Sequence, residues 1–177
     1  MPERLTTEQL QQLVVDKANQ YGINPQIALA QISRESGFRP DVVYGPFVGA
    51  AGERGLSQFT PATWATYGSG PHTNAYDPVM AMDAWGNYMA ALMGMFSGDY
   101  VKALMAYNGG PGHLTDPQRF GPPSAAAQAY AQAIYSQAGF TADSVVRLDQ
   151  IDVNPSSLPF WLLVGGVGVL VWFALSD

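Results

Sequence analysis

The sequence predicts a mainly α protein: one helical domain followed by a single C-terminal transmembrane helix. Residues 1–138 carry repeated helix-start signals and no convincing run of alternating strand pattern. A polar stretch at 139–157, ending in Asn154, Pro155, Ser156 and Ser157, reads as a linker. Residues 158–175 then run without a charge. A chain of 177 residues suits one domain of roughly 100–150 residues with an appendage.

Taken in order, Thr6 and Gln9 fit a capping box. Leu10, Leu13, Val14, Ala18 and Tyr21 fall at helical spacing, and Gly22 ends the pattern. Charged residues through this stretch leave no room for the apolar run of a signal peptide. Asn24 caps a second helix with Pro25 at its first position, running through Ile27, Ala28, Ala30 and Ile32 to about Glu35. Gly37 and Pro40 close it, and residues 40–55 read as a glycine-bearing irregular loop. Thr60-Pro61 opens a short helix through Trp64, and Asp77-Pro78 opens a longer one. Met82, Trp85, Met89, Leu92, Met93 and Phe96 give that longer helix an apolar face, while Asp83 and Asn87 argue against a membrane span. Asp99 caps a helix reaching Tyr107, and an Ala-rich helix spans 123–138, ended by Gly139.

Residues 158–175 are rich in Leu, Val and Phe, with Trp161 and Trp172 near the two ends, where interfacial aromatics belong. As a helix at about 1.5 Å per residue, the stretch reaches roughly 27 Å, close to the thickness of a bilayer's hydrocarbon core. A buried core helix is the competing reading of the same run.

The charge balance narrows the function. The formal net charge is −6, and the eight Lys and Arg form no basic stripe, so nucleic-acid binding is not expected. There is no cysteine, hence no disulfide or thiolate metal site, and two histidines are too few for a His-based metal site. Neither a metal nor a cofactor is expected.

Three clusters carry polar groups suited to chemistry: Arg34-Glu35-Ser36-Gly37-Phe38, Gly55-Leu56-Ser57-Gln58, and Ala106-Tyr107-Asn108-Gly109-Gly110. A carboxyl at a helix C-terminus beside apolar Phe38 is biased toward holding its proton, as a general acid for glycoside cleavage must. Gln58 can both donate to and accept from sugar hydroxyls and acetamides. Each also has a plain explanation: Glu35 as an ordinary helix-end residue, Gln58 as a loop amide, Tyr107 as a core side chain before a helix stop.

In their order and spacing, these clusters resemble the soluble lytic transglycosylase (SLT) family, related to goose-type lysozyme, over about Ile27 to Tyr135. Residues 28–38 resemble its catalytic helix, and Gly55-Leu56-Ser57-Gln58 with Pro61 its Gly-Leu-Met-Gln stretch. Tyr107-Asn108 with its glycines resembles its Tyr-Asn-x-Gly signature, and Tyr130 matches a later helix tyrosine. Ser57 stands in place of the usual Met, Ala81 where Asn is common, and Trp85 in place of a small residue. The resemblance implies a lysozyme-like domain over 1–138 that cuts peptidoglycan. Glu35 would be the catalytic acid and base, and Ser36, Gln58, Tyr107 and Asn108 would bind substrate. The reaction implied closes the muramoyl C6 hydroxyl on C1 to give a 1,6-anhydro end without water, so a second carboxylate is not obligatory.

A hydrolytic muramidase using water activated by Glu53 or Asp41 is the alternative on the same fold. A non-catalytic structural membrane component of a virion or secretion apparatus is the alternative from another class. The expected partners are peptidoglycan, a lipid bilayer through residues 158–175, and virion or envelope proteins. The expected location is single-pass, in a virion membrane or the bacterial inner membrane, acting on the periplasmic cell wall. The weak charge bias around the span favours a cytoplasmic N-terminal domain. Delivery by a phage, in infection or release, reconciles that orientation with an external substrate.

Overall fold

The computed structural model describes residues 4–140. The expected transmembrane helix at 158–175, and the linker beyond Phe140, lie outside the described residues. Among the described residues no helix is long and apolar enough to cross a membrane.

The expected helix starts are all present. Helix α1, Thr7–Gln20, begins with a reciprocal capping box between Thr6 and Gln9. In α2, Pro25–Ser36, the Asn24 side chain accepts from the N–H groups of Gln26 and Ile27. A four-residue helix, α3 (Pro40–Val43), occupies part of the stretch expected to be irregular, because Pro40 supplies the first helical position. Helix α4 is Pro61–Tyr67, capped by Thr60 and reaching a turn beyond Trp64. A 3₁₀ turn at His72–Tyr76 leads into α5, Pro78–Met95, capped by Asp77. Helix α6 is Tyr100–Gly109 under an Asp99 cap. Two single-turn helices, α7 (Gly112–Thr115) and α8 (Pro117–Phe120), precede α9, Ala125–Gln137, which Ser124 caps.

Helix α5 is the hub. Met82, Trp85, Met89 and Leu92 are almost fully buried, and the helix packs on α1, α4 and α6. Lys17 pairs with Asp83, and the Tyr21 hydroxyl donates to the same carboxylate at 3.2 Å, fastening α1 to α5. Helix α2 lies between α1 and α9, and α9 lies against α6. Leu10, Ile27, Ile32, Leu104 and Ile134 carry those contacts into one core. Phe140, assigned from sequence to the linker, belongs to the domain: its ring packs on Tyr135 at 5.1 Å and its N–H donates to the Tyr135 carbonyl.

Pairing of β type among the described residues is limited to one antiparallel bridge between Arg54 and Phe59. It pinches residues 55–58 into a tight loop. Gly55, at φ +74°, passes so close to the Ala75 carbonyl that a Cβ would overlap it. His72 Nε2 bonds the Phe59 carbonyl oxygen at 2.8 Å, tying the pinch to the 3₁₀ turn.

Candidate active site

Glu35 occupies the last turn of α2. Gly37 ends the helix in the left-handed conformation at φ +58°, and Phe38 follows at φ +55°. Two left-handed residues in succession turn the chain sharply away and leave the Glu35 carboxyl at the head of a groove of about 290 Å³. Gln58 on the pinched loop, Tyr88 on α5, and Tyr107 and Asn108 at the end of α6 share that groove, with Glu53 on its loop wall.

The aromatic floor is continuous. Tyr88 lies 4.5 Å from Tyr67 and 5.3 Å from Tyr107, and Phe59 lies 5.7 Å from Tyr107, centroid to centroid. The Tyr107 hydroxyl donates to the Ser57 carbonyl at 2.7 Å, linking α6 to the loop that carries Gln58. Gln58 itself sits at φ +49°, and its Nε2 donates to the Gly55 carbonyl at 2.8 Å. That bond closes the loop and uses one of the two amide N–H donors, leaving the second N–H and the amide oxygen for a ligand.

Tyr130, on α9, donates its hydroxyl hydrogen bond to Glu35 Oε1. The guanidinium of Arg34 lies over the Tyr130 ring at 5.7 Å. Burial pushes the Glu35 carboxyl up to about 7, against the opposing pull of the Tyr130 hydroxyl and Arg34, and Glu53 adds a smaller push in the same direction. Burial, and then the Glu35 charge, raise the Tyr107 hydroxyl well above its ordinary value, so it remains a donor. A carboxyl that keeps its proton near neutrality, facing a groove floored by aromatic rings, can deliver that proton to a ligand oxygen and take one back.

The structure brings Glu35, Gln58, Tyr107 and Asn108 together in this groove, while Ser36 lines an adjoining cavity with Glu35 and Gln58. Ser36 is buried, its hydroxyl donates to the Ile32 carbonyl at 3.1 Å and accepts from the Phe38 N–H at 3.2 Å. Those two bonds brace the turn that follows Glu35. The expectation for Asp41 is corrected. It is exposed and bonded to Arg39 at 2.7 Å, away from the groove, whereas Glu53 lines it. Glu53 Oε2 accepts the Ala51 N–H at 2.8 Å, so part of that carboxylate holds its own loop. Among the described residues no group of His, Asp and Glu is placed to hold a metal ion. Sequence reasoning did not assign Tyr88 or the Tyr130 contact. A tyrosine one turn from Trp85 on a buried helix was the available sign for the first, and nothing local signals the second.

Residues 12–128 match the transglycosylase SLT domain family. The chain belongs to that family. Over 71 residues, 38% of this chain, the SLT domain is 41% identical to the peptidoglycan transglycosylase gp16 of Escherichia phage T7. The chain spans only 5% of that relative's length. Two solved structures share the fold. An inactive variant of the lytic transglycosylase Slt from Pseudomonas aeruginosa aligns with a TM-score of 0.59 at 21% identity. The 70 kDa soluble lytic transglycosylase of Escherichia coli aligns with a TM-score of 0.60 at 18% identity. Each alignment covers 72% of this chain and 23% of the other. The described residues thus have the mainly helical, lysozyme-like fold expected from the sequence.

Proposed function

We propose that this SLT domain is a peptidoglycan lytic transglycosylase with Glu35 as its catalytic acid and base. The observation that carries the reading is the Glu35 carboxyl, raised to about 7 by burial and facing the groove under the Tyr130 hydroxyl. Protonated Glu35 gives its proton to the oxygen bridging N-acetylmuramic acid and N-acetylglucosamine as the bond from that oxygen to the muramoyl C1 breaks. The Glu35 carboxylate then takes the proton of the muramoyl C6 hydroxyl, whose oxygen bonds to C1. One proton enters and one returns, and no water is consumed. The Gln58 amide oxygen accepts from an acetamide N–H, Asn108 binds a sugar hydroxyl at the exposed rim, and Tyr107 sets the floor. A positioned acid and base of this kind contributes about 10²–10⁴ in rate.

Glu53 supports the second reading, a hydrolytic muramidase, because it lines the same groove. Its Oε2 accepts the Ala51 N–H, so the second oxygen, Oε1, is the one left to activate water. We further assign residues 158–175 to a single-pass membrane anchor and the chain to a phage virion, acting on the cell wall in infection or release. The uncharged run and the similarity to the phage T7 protein support these assignments.

The test is mass spectrometry of purified peptidoglycan digested by the full chain and by Glu35→Gln. Anhydromuramoyl ends that vanish in the variant are expected. Water-containing reducing ends would move the assignment to a muramidase, and a folded chain that leaves the glycan uncut would move it to a structural component.

A further inference from the structure

Glu35 and Gln58 belong to two spaces at once. Besides the aromatic-floored groove, they line an adjoining cavity of about 310 Å³. The two spaces differ in charge. The groove has Glu35 and Glu53 in its wall and no Lys or Arg. The adjoining cavity has Arg34 and Arg39 in its wall and no carboxyl except that of Glu35. The chain has a net charge of −6 and eight Lys and Arg in all, so two cations on one side of the acid run against its general balance. The reaction proposed above uses neither of them.

The two arginines are not equivalent. Arg39 is already engaged: its Nη2 lies 2.7 Å from Asp41 Oδ2, and its Nε donates to Oδ1 at 3.3 Å. Its charge is largely offset on the spot. Arg34 is exposed and, among the described residues, forms no ion pair. Its guanidinium rests over the ring of Tyr130, the residue whose hydroxyl bonds Glu35. A stacked guanidinium keeps the N–H donors of its edge for a planar anion such as a carboxylate. Glu35, next in the chain, keeps its proton up to about 7, so it does not offset that charge while the acid is armed. Phe47, partly exposed, adds an apolar wall to the same cavity.

A peptidoglycan strand alternates in a matching way. N-acetylglucosamine is neutral. The muramoyl residue carries a lactyl arm, a methyl group beside a carboxyl that is either free or extended by a peptide with carboxylates of its own. The bond to be cut joins one sugar of each kind, and Glu35 has to stand at that bond. The acidic arm suits the side with an unpaired cation and an apolar ring. The neutral sugar suits the side whose wall already holds Glu53.

We propose that Arg34 is a specificity-determining residue, binding a carboxylate on the lactyl arm of the muramoyl residue in the adjoining cavity. The inference deepens the reading of the domain as a peptidoglycan transglycosylase and rests on it for the identity of the ligand. It also gives the strand a direction: the muramoyl sugar lies on the Arg34 side of the acid, its neighbour on the side of Tyr107 and Asn108. A site that read only N-acetylated sugars would treat chitin and peptidoglycan alike, and Arg34 separates them.

The test is calorimetric binding of short glycans to the full chain in mild detergent, with Glu35→Gln throughout so that nothing is cut. Three ligands are compared: peptide-bearing peptidoglycan fragments, the same fragments stripped of peptide so that the lactyl carboxylate is free, and chitin fragments of equal length, which carry no carboxylate. At low salt an acid-bearing ligand should bind about 3- to 10-fold more tightly than chitin, as one exposed charge-assisted bond allows. Arg34→Met and Arg34→Gln should each bring that advantage down to about onefold. Arg34→Lys, which keeps the charge and loses the planar fork, should retain part of it. Because Arg34 is exposed, these replacements leave the core packing in place. Lys102→Met removes an exposed cation that lines neither space and should keep the full advantage. An advantage that survives stripping puts the lactyl carboxylate on Arg34, and one that disappears with the peptide puts a peptide carboxylate there. No preference over chitin, a preference that persists in Arg34→Met, or one lost equally in Lys102→Met would overturn the proposal. Binding is measured without turnover, so a wild-type chain that binds the glycan and leaves it uncut would refute the enzymatic reading alone.

Discussion

Replacing Glu35 with Gln should stabilise the domain above neutral pH while leaving it unchanged in acid. An ordinary glutamate ionises near 4.5, whereas burial holds Glu35 to about 7 in the fold. Between those values the folded chain keeps a proton that the unfolded chain has already released, so stability falls as pH rises. The contribution of the neutral carboxyl is fully present below 4.5 and is lost as pH passes through about 7. At 1.36 kcal/mol per unit, the penalty above neutrality comes to about 3 kcal/mol. A glutamine keeps an oxygen for the Tyr130 hydroxyl and has no proton to lose. Glu8 and Asp41, whose carboxyls are lowered by hydrogen bonds, stabilise in the opposite direction, but they are common to both proteins and cancel in the difference. Urea unfolding followed by circular dichroism near pH 4 and near pH 8.5 measures it. Glu35→Gln should match wild type at the lower pH and exceed it by about 2–3 kcal/mol at the higher. Equal stability of the two proteins at both pH values would mean that Glu35 is solvated like any surface carboxylate, and the argument from burial would fail.

Other consequences are as direct. Activity on peptidoglycan should decline as pH rises past about 7, since the reaction starts from protonated Glu35. Tyr130→Phe removes a donor that favours the carboxylate, so a pH–rate profile of that variant should show its alkaline limb displaced upward and a maximum roughly tenfold lower. Gly55→Ala combines a left-handed backbone with overlap of the Ala75 carbonyl, and a loss of more than about 3 kcal/mol is expected by thermal melting. Asn24→Ala strips the cap of α2 and should cost about 1 kcal/mol, with turnover of the folded fraction unchanged. Asp41→Asn, altering a carboxylate that Arg39 holds outside the groove, should leave turnover within about twofold of wild type, as surface changes usually do.

The helices were legible because their start signals are local. Thr6, Asn24, Thr60, Asp77 and Asp99 each cap the helix their neighbours imply, within four residues of chain. The Glu35 turn was readable for the same reason, from Gly37 alone. The part Ser36 plays in the turn, its hydroxyl bonded to Ile32 and Phe38, was not legible from its place beside the acid. At a helix end, consecutive side chains point roughly 100° apart, and the one beside the acid is buried. The 3₁₀ turn and the short helices α7 and α8 carry no apolar periodicity long enough to register. Tyr130 lies 95 residues from Glu35, and no local pattern reports a contact made only when α9 docks on α2.

The long separation of Glu35 and Tyr130 also orders events during synthesis. The acid, the pinched loop and the end of α6 all leave the ribosome before the helix that completes their surroundings. At about 5–20 residues per second, several seconds pass in which the nascent chain has an acid but not the hydroxyl that steadies it. The site is therefore assembled last, by the arrival of α9, and finishing the fold and arming the chemistry become a single step. A cell that translates this chain meets the finished groove only after the polypeptide has folded, not while it is being made.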